Sequence, residues 1–533
     1  MKTIIDRLVY TALLAMSVSF LCAQDRKGID FYEAGDYSAA KSFLLKNGAT
    51  DAASHFYLGD IYFKEKKTDS AQYYFQKGLE IDPESLYNRI GLAKVLLAKT
   101  GSADELNKIA GEKKNRKNGT VLALIAEAYM DNGKTKEALA QVDQAIKTDS
   151  KNPKPYLLKG DIIASQGDTG EAATLYENAR YFDASYKPAY VKLARLYENI
   201  KTQVALDYLK QVIELDPSYV PGQFAYSQIN YRKGFYPESL NAFKKYLALV
   251  EPDAKDYERY ATTLYFNKMY KEAIEAIEKA PDNLVMDRLK TYAFFELGEY
   301  VAALESATKF FGKYDKRDFI TQDYTYYAQI LNQNKKFAEA ADAYIEAYKR
   351  DDHKMEYLQE AAKAYEKAGD YDHAIQYYRM ILENHPEPSL ADYYLLGAAY
   401  YSAGTATSIL SDDPKQDQFK KRDYLIEADK TFSTMIDHFP DHYLGYLMRA
   451  RANFALDPQA EEGLAVPYYT KALEMMLPDV EKRKNDILES YRYLGFYHLG
   501  KNDVPQAKHF WNKVLEYDPA DETALQVIKS LSK

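Results

Sequence analysis

One spacing governs what this chain can become. Leu58, Gly59, Tyr62, Ala71, Phe75, Gly78 and Pro83 stand at intervals that return at Tyr365, Gly369, Ala374, Tyr378 and Pro386. They return again at Leu494, Gly495, Ala507, Trp511 and Pro519. The period is about 34 residues, the length of one helix–turn–helix unit. Small residues at the eighth and twentieth places let two helices cross closely, and a larger side chain there would force the backbones apart. Aromatic residues near the eleventh and twenty-fourth places fill the gap to the next unit. Proline after the second helix stops it and sets the turn. Such units pack only on their neighbours, so 533 residues do not by themselves require several domains.

These residues resemble the tetratricopeptide repeat family, whose pattern is L-G-x2-Y…A-x3-F…P. The resemblance implies an all-α fold, a right-handed α-solenoid of about thirteen helix–turn–helix units with a concave inner face. A final amphipathic helix over 520–532 is expected to cap the last unit. A partial first unit spans 24–50, with Gly35, Tyr37, Ala40 and Leu44 in place. Clear units follow at 52–85, 119–152, 153–186 and 187–219, and less regular ones run from 220 to 316. The pattern is strong again over 321–388, and units 443–478 and 488–521 end the array. Residues 86–118 hold a degenerate unit that keeps Gly91 and Ala103 but lacks the aromatics. In 390–440 the first helix is expected to end near Gly404 and the second to resume near Lys421. The polar insertion between, 405–420, reads as a mobile loop in which Ile409, Leu410 and Phe419 are the docking candidates. These two segments are the only candidate joints in an otherwise continuous array from 24 to 533.

Residues 1–23 read as a secretory signal: Lys2 and Arg7 precede an apolar run from Leu8 to Leu21, and Ala23 is a cleavage point. The bulky Leu21 before Cys22 disfavours lipidation of that cysteine. An Ala-Gln junction resembles those of envelope proteins in Bacteroidota. The expected location is therefore the periplasm or the periplasmic face of an outer membrane, with peripheral membrane association allowed. Cys22 is the only cysteine, so an exported mature chain would hold together by packing without disulfides. The formal charge is −9, and removing the net +1 of 1–23 leaves −10, which argues against a nucleic-acid partner. No second apolar run is long enough to span a membrane.

Catalytic constellations are lacking, and no cofactor is expected. Asn132-Gly133-Lys134-Thr135 ends like a phosphate loop, but Ala128 stands where its first glycine belongs, and the segment is a repeat turn. No His-Glu-x-x-His or Gly-x-Ser-x-Gly occurs. Asp437-His438-Phe439-Pro440-Asp441-His442 gathers metal-ligand types in one turn, yet reads as a solvated turn between repeats, so no metal is assigned.

In the family, residues near places two, five, nine, twelve and thirteen of each first helix line the concave groove. Carried onto this chain, that rule gives Asp60, Phe63, Lys64, Glu127, Met130 and Arg195 in the first third. In the middle it gives Gln228, Tyr231, Arg232, Tyr265, Phe266, Tyr292 and Phe295. Beyond them come Gln329, Asn332, Lys363, Tyr401, Arg451 and Phe454. The set from Gln228 to Asn332 is the favoured partner site, because aromatic rings offer apolar area and polar handles at low entropy cost. A register shift of one residue would instead place those rings between repeats. No asparagine occupies a ninth place, which argues against the clamp that captures C-terminal carboxylates. The expected function is a non-catalytic envelope scaffold or adaptor that binds other proteins in an outer-membrane or secretion assembly. The alternatives are a soluble module holding an extended peptide or glycan, and an accessory subunit of a peptidoglycan enzyme.

Overall fold

The computed structural model describes residues 25–46, 48–406 and 413–532. The expectations for the signal segment, Cys22, Ile409 and Leu410 fall outside them. Among the described residues every element is a helix and there is no strand. Fourteen helical pairs succeed one another, where about thirteen are expected. The first is 25–33 with Tyr37–Lys46, and the last is Val480–Gly500 with Val504–Tyr517. Helix Glu522–Leu531 then lays Ala524, Val527 and Leu531 on the cluster around Trp511 and Val514.

The repeat spacing has a direct steric cause. A Cβ at Gly59 would lie 2.6 Å from the Phe75 ring of its own unit, and one at Gly91 would lie 2.4 Å from the same ring. Gly160 meets Tyr176, Gly397 meets Phe432 and Gly495 meets Trp511 in the same way. The ring at place twenty-four is thus seated on the glycine at place eight. Ala71, Ala374 and Ala507 are fully buried at place twenty. Helices Thr68–Ile81, Tyr371–Asn384 and Val504–Tyr517 each stop two residues before Pro83, Pro386 and Pro519. Several first helices are capped by side chains that satisfy free amides. Asp51 accepts from Ser54 N, Asn152 from Lys154 N, and Asp253 forms a reciprocal box with Asp256.

The insertion departs from expectation. Helix Leu390–Thr405 ends as foreseen, but the second helix runs from Pro414 to His438, two turns earlier than Lys421. Asp413 caps it by accepting from Lys415 N, and Pro414 sits in the first turn, where its missing N–H costs nothing. A composition read as loop is in part a helix start. Lys420 and Tyr424 then bond Asp372, while Phe419 is 67 % exposed.

The chain divides into two compact units, with the division between Pro281 and Asp282 and at neither candidate joint. The helix before it, Tyr270–Ile277, has 8 residues against 14 in Thr68–Ile81, so the pair that closes the first unit has a shortened second helix. The degenerate segment 86–118 lies inside the first unit. Its second helix is only Asp104–Gly111, and the charged turn after it is held by Asn115, which donates to Ile109 O.

Candidate functional site

In the first third of the chain, Asp60, Lys64, Glu127 and Arg195, all assigned to the concave face, are already in use. The hairpin formed by 25–33 and Tyr37–Lys46 lies against repeats far along the chain. Phe31 stacks on Phe43 of its own hairpin and meets Phe224 edge-on at 5.7 Å. Its turn takes Gly35 to φ +80°, a conformation open to glycine. A Cβ there would stand 3.2 Å from Arg195 and 3.4 Å from Lys192. Arg195 donates to Ala34 O at 2.8 Å and pairs with Asp36 at 3.3 Å. Lys27 donates to Leu249 O, Lys46 to Glu251 O and Ser42 to Asp253.

Beneath this hairpin runs a buried charge network. Tyr32 Oη lies 2.5 Å from Asp60 Oδ2 and 2.9 Å from Glu127 Oε1, and its one proton serves one of them. Lys64 donates to Glu127 at 3.0 Å and to Asp131 at 2.8 Å. Lys94 is 2 % exposed and pairs with Asp60 at 2.5 Å and with Asp131. Burial alone would raise the Asp60 carboxyl, but Lys94 and Lys64 outweigh it and hold the group well below the usual carboxylate range. Burial likewise opposes the charge on Lys64, and Glu127, Asp60 and Asp131 more than compensate, raising its pKa. Lys94 is raised against burial by Asp131 and Asp60 in the same way. Lys94 stands three residues after Gly91, at the place where Tyr62 and Tyr129 stand after Gly59 and Ala126. The degenerate repeat has exchanged an aromatic for a cation, and that exchange was the one visible signal of the network. Asp60, Glu127 and Asp131 come close enough to share a cation. Two ammonium groups already neutralise most of their charge, so the trio is a salt-bridge network.

The middle set is divided by its surroundings. Gln228 and Tyr231 line a pocket of about 290 Å³ with Lys255, Glu258, Arg259 and Thr262. Phe266, 41 % exposed, stacks on Tyr236 at 4.9 Å, and Tyr231 meets both rings edge-on. Tyr265 is half-buried against Phe266 and Tyr270. Arg232 is held by Glu198 of the preceding repeat at 2.5 and 2.9 Å. These residues belong to the first unit; Tyr292, Phe295, Gln329 and Asn332 belong to the second. Tyr292 is the clear correction. It is 3 % exposed, its ring stacks on Tyr326 at 3.9 Å, and its hydroxyl donates to Asp323 at 2.6 Å. The ring packs onto the next repeat, and its hydroxyl finds there the partner that burial demands. Phe295 is half-buried beside it, Gln329 is exposed and Asn332 half-buried.

The second unit carries a larger cleft, of about 720 Å³, that the favoured set does not include. Tyr401, Arg451 and Phe454, all at assigned groove places, form one side. Tyr493, Phe496 and Val527 form much of the rest. Phe454 and Phe496 are 38 % and 40 % exposed. Arg451 is held by Glu489 at 2.7 Å and Asp486 at 3.0 Å, and Tyr469 also donates to Glu489. Aromatic surface is thus framed by a fixed, mutually satisfied set of charges. The histidine turn makes no comparable site. His438 stacks on Tyr393, whereas His442 accepts from Leu444 N and stacks on Tyr443.

Paired helices and a ring seated on a glycine in unit after unit define a class: an α-solenoid of protein-interaction repeats. The chain is a tetratricopeptide-repeat protein. Three models described as tetratricopeptide repeat match it, at 52–85, at 124–186, and at 188–219 with 356–388. Among solved structures, the C-terminal part of a TPR repeat-containing protein from Cytophaga hutchinsonii is 28% identical. That match covers 50% of this chain and 98% of its own, with a TM-score of 0.39. A tetratricopeptide repeat protein from Parabacteroides merdae is 15% identical over 53% of this chain and 99% of its own, with a TM-score of 0.27. YrrB, described as a TPR protein with an unusual peptide-binding site, is 18% identical over 38% of this chain and 97% of its own, with a TM-score of 0.27. No curated protein matches the chain. No helix among the described residues is long and apolar enough to cross a membrane.

Proposed function

We propose that this protein is an exported, non-catalytic scaffold of a cell envelope, which holds partner proteins of an outer-membrane or secretion assembly on its second unit. One observation carries the reading: the 720 Å³ cleft bounded by Tyr401, Phe454 and Phe496. Exposed aromatic rings with charges fixed around them are the composition of interaction hot spots. A signal-like N-terminal segment and an acidic mature chain fit export and a protein partner. Affinity isolation of the tagged protein from gently solubilised native envelopes tests this. A membrane protein recovered in near-equal amount, and lost with Phe454→Ala plus Phe496→Ala, supports the scaffold. Recovery of the protein alone from the soluble fraction contradicts it.

A second reading rests on the exposed stack of Tyr236 and Phe266 beside Gln228 and Tyr231. Ring faces next to an amide and a threonine hydroxyl suit an extended peptide or a sugar ring. A ligand of that kind raises the melting temperature by mass action. The rise should vanish in Tyr231→Ala with Phe266→Ala, and a rise that survives both changes removes this reading.

A further inference from the structure

We propose that the N-terminal hairpin, residues 25–46, is a displaceable clasp over the part of the first unit's concave face formed by Asp60, Glu127 and Arg195. A partner helix bearing a tyrosine and an acidic turn opens it by taking the places of Tyr32 and Asp36. The hairpin makes the contacts expected of a ligand. Its hydroxyl at Tyr32 reaches Asp60 and Glu127, and its turn presents Ala34 O and Asp36 to Arg195. Those receiving residues, Asp60, Glu127 and Arg195, all stand at the ninth place of their repeats, directly after Gly59, Ala126 and Ala194.

The packing along this boundary differs from that inside the array. Between repeats, rings press on glycines so closely that a Cβ would overlap them. Along the hairpin, Phe31, Ala34, Ala40 and Leu44 are fully buried, but gaps open beside them. A recess of about 390 Å³ opens beside Gly35 and Tyr37. Smaller ones of about 50 and 70 Å³ flank Tyr32 and the Asp36–Lys46 side. Close packing is the rule of an interior, and these recesses, lined by apolar and polar groups alike, interrupt it along the hairpin. The attachment is a connection of five residues between helix Tyr37–Lys46 and helix Ala52–Lys64, in which Gly48 takes φ +79° and Ala49 φ +46°. Rotation there would carry the hairpin away as a body while the repeats from 52 onward keep their own stacking.

The clasp extends the scaffold reading to the first unit, but it is testable without any partner. Hydrogen exchange is measured on the full chain and on Tyr32→Phe with Asp36→Asn, which removes one hydroxyl and one charge while keeping the helix cap. A fluorescent peptide of residues 25–46 is then added to each. Amides of 25–46 are expected to exchange about tenfold faster in the variant, with 121–142 unchanged. The peptide is expected to bind the variant about tenfold more tightly than the wild type, because its own hairpin competes less well. Exchange of 25–46 locked to that of 121–142 in both proteins would make the hairpin a permanent part of the core and overturn the proposal. Peptide binding absent from the variant overturns recognition in trans. Neither result bears on the second-unit cleft, whose own failure would be loss of the envelope partner.

Discussion

Phe75 shows how much a single position can impose. Its ring lies between Gly59 of its own repeat and Gly91 of the next, each too close to accept a Cβ. Gly59→Ala should therefore lower stability by about 1–3 kcal/mol through overpacking, and Ala374→Leu, fully buried at place twenty, by a similar amount. Both are read as shifts in the calorimetric unfolding transitions, and an unchanged profile contradicts the register. Lys94 carries a different obligation. Lys94→Ala leaves buried Asp60 and half-buried Asp131 with one shared ammonium fewer, a loss of about 3–5 kcal/mol. The glycine–aromatic contact was legible because its partners lie 16 residues apart in one repeat. The role of Lys94 was not, because its partners come from two other repeats and only the fold brings them together.

At the scale of elements, the hairpin network has a pH signature. The depressed Asp60 contributes stability that is complete above the ordinary carboxylate value of about 4 and is lost as pH falls toward its folded value. The raised Lys64 and Lys94 contribute stability that is complete below their ordinary value of about 10.4 and is lost as pH rises above it. Tyr32, raised first by burial and then by Asp60 and Glu127, works in the same direction at high pH. Protection of the 25–46 amides should thus be level between about pH 5 and 10 and fall on either side. Steady loss across neutral pH would contradict the network. The insertion makes a separate prediction: Asp413→Ala should cost about 0.5–2 kcal/mol of local stability, seen as faster exchange at 415–420 alone. Helix ends marked by proline two residues on were legible throughout. This start was missed because Ser411-Asp412-Asp413-Pro414 has the composition of a loop and the chemistry of a cap.

At the scale of the whole molecule, two compact units present two kinds of inner face. The first is covered in part by its own N-terminal hairpin, through contacts up to 222 residues apart in sequence. No reading of neighbouring residues exposes such contacts, although Gly35 and Tyr37 stand at the hairpin's turn and at the start of its second helix. The second unit holds a broad aromatic cleft. Its members Tyr401, Arg451 and Phe454 were legible from repeat places, whereas Tyr493 was not singled out, and Phe496 is the ninth-place residue of the final repeat. The favoured middle set divides between the units and loses Tyr292 to packing. The central claim is that the second-unit cleft is the surface that holds a protein partner. The most direct measurement places a photo-crosslinking residue at Phe496, and at exposed Tyr181 as a control, in cells of the native envelope. The account predicts one discrete adduct with an envelope protein from position 496 and none from 181. No adduct at 496, or the same adducts from both positions, would contradict it.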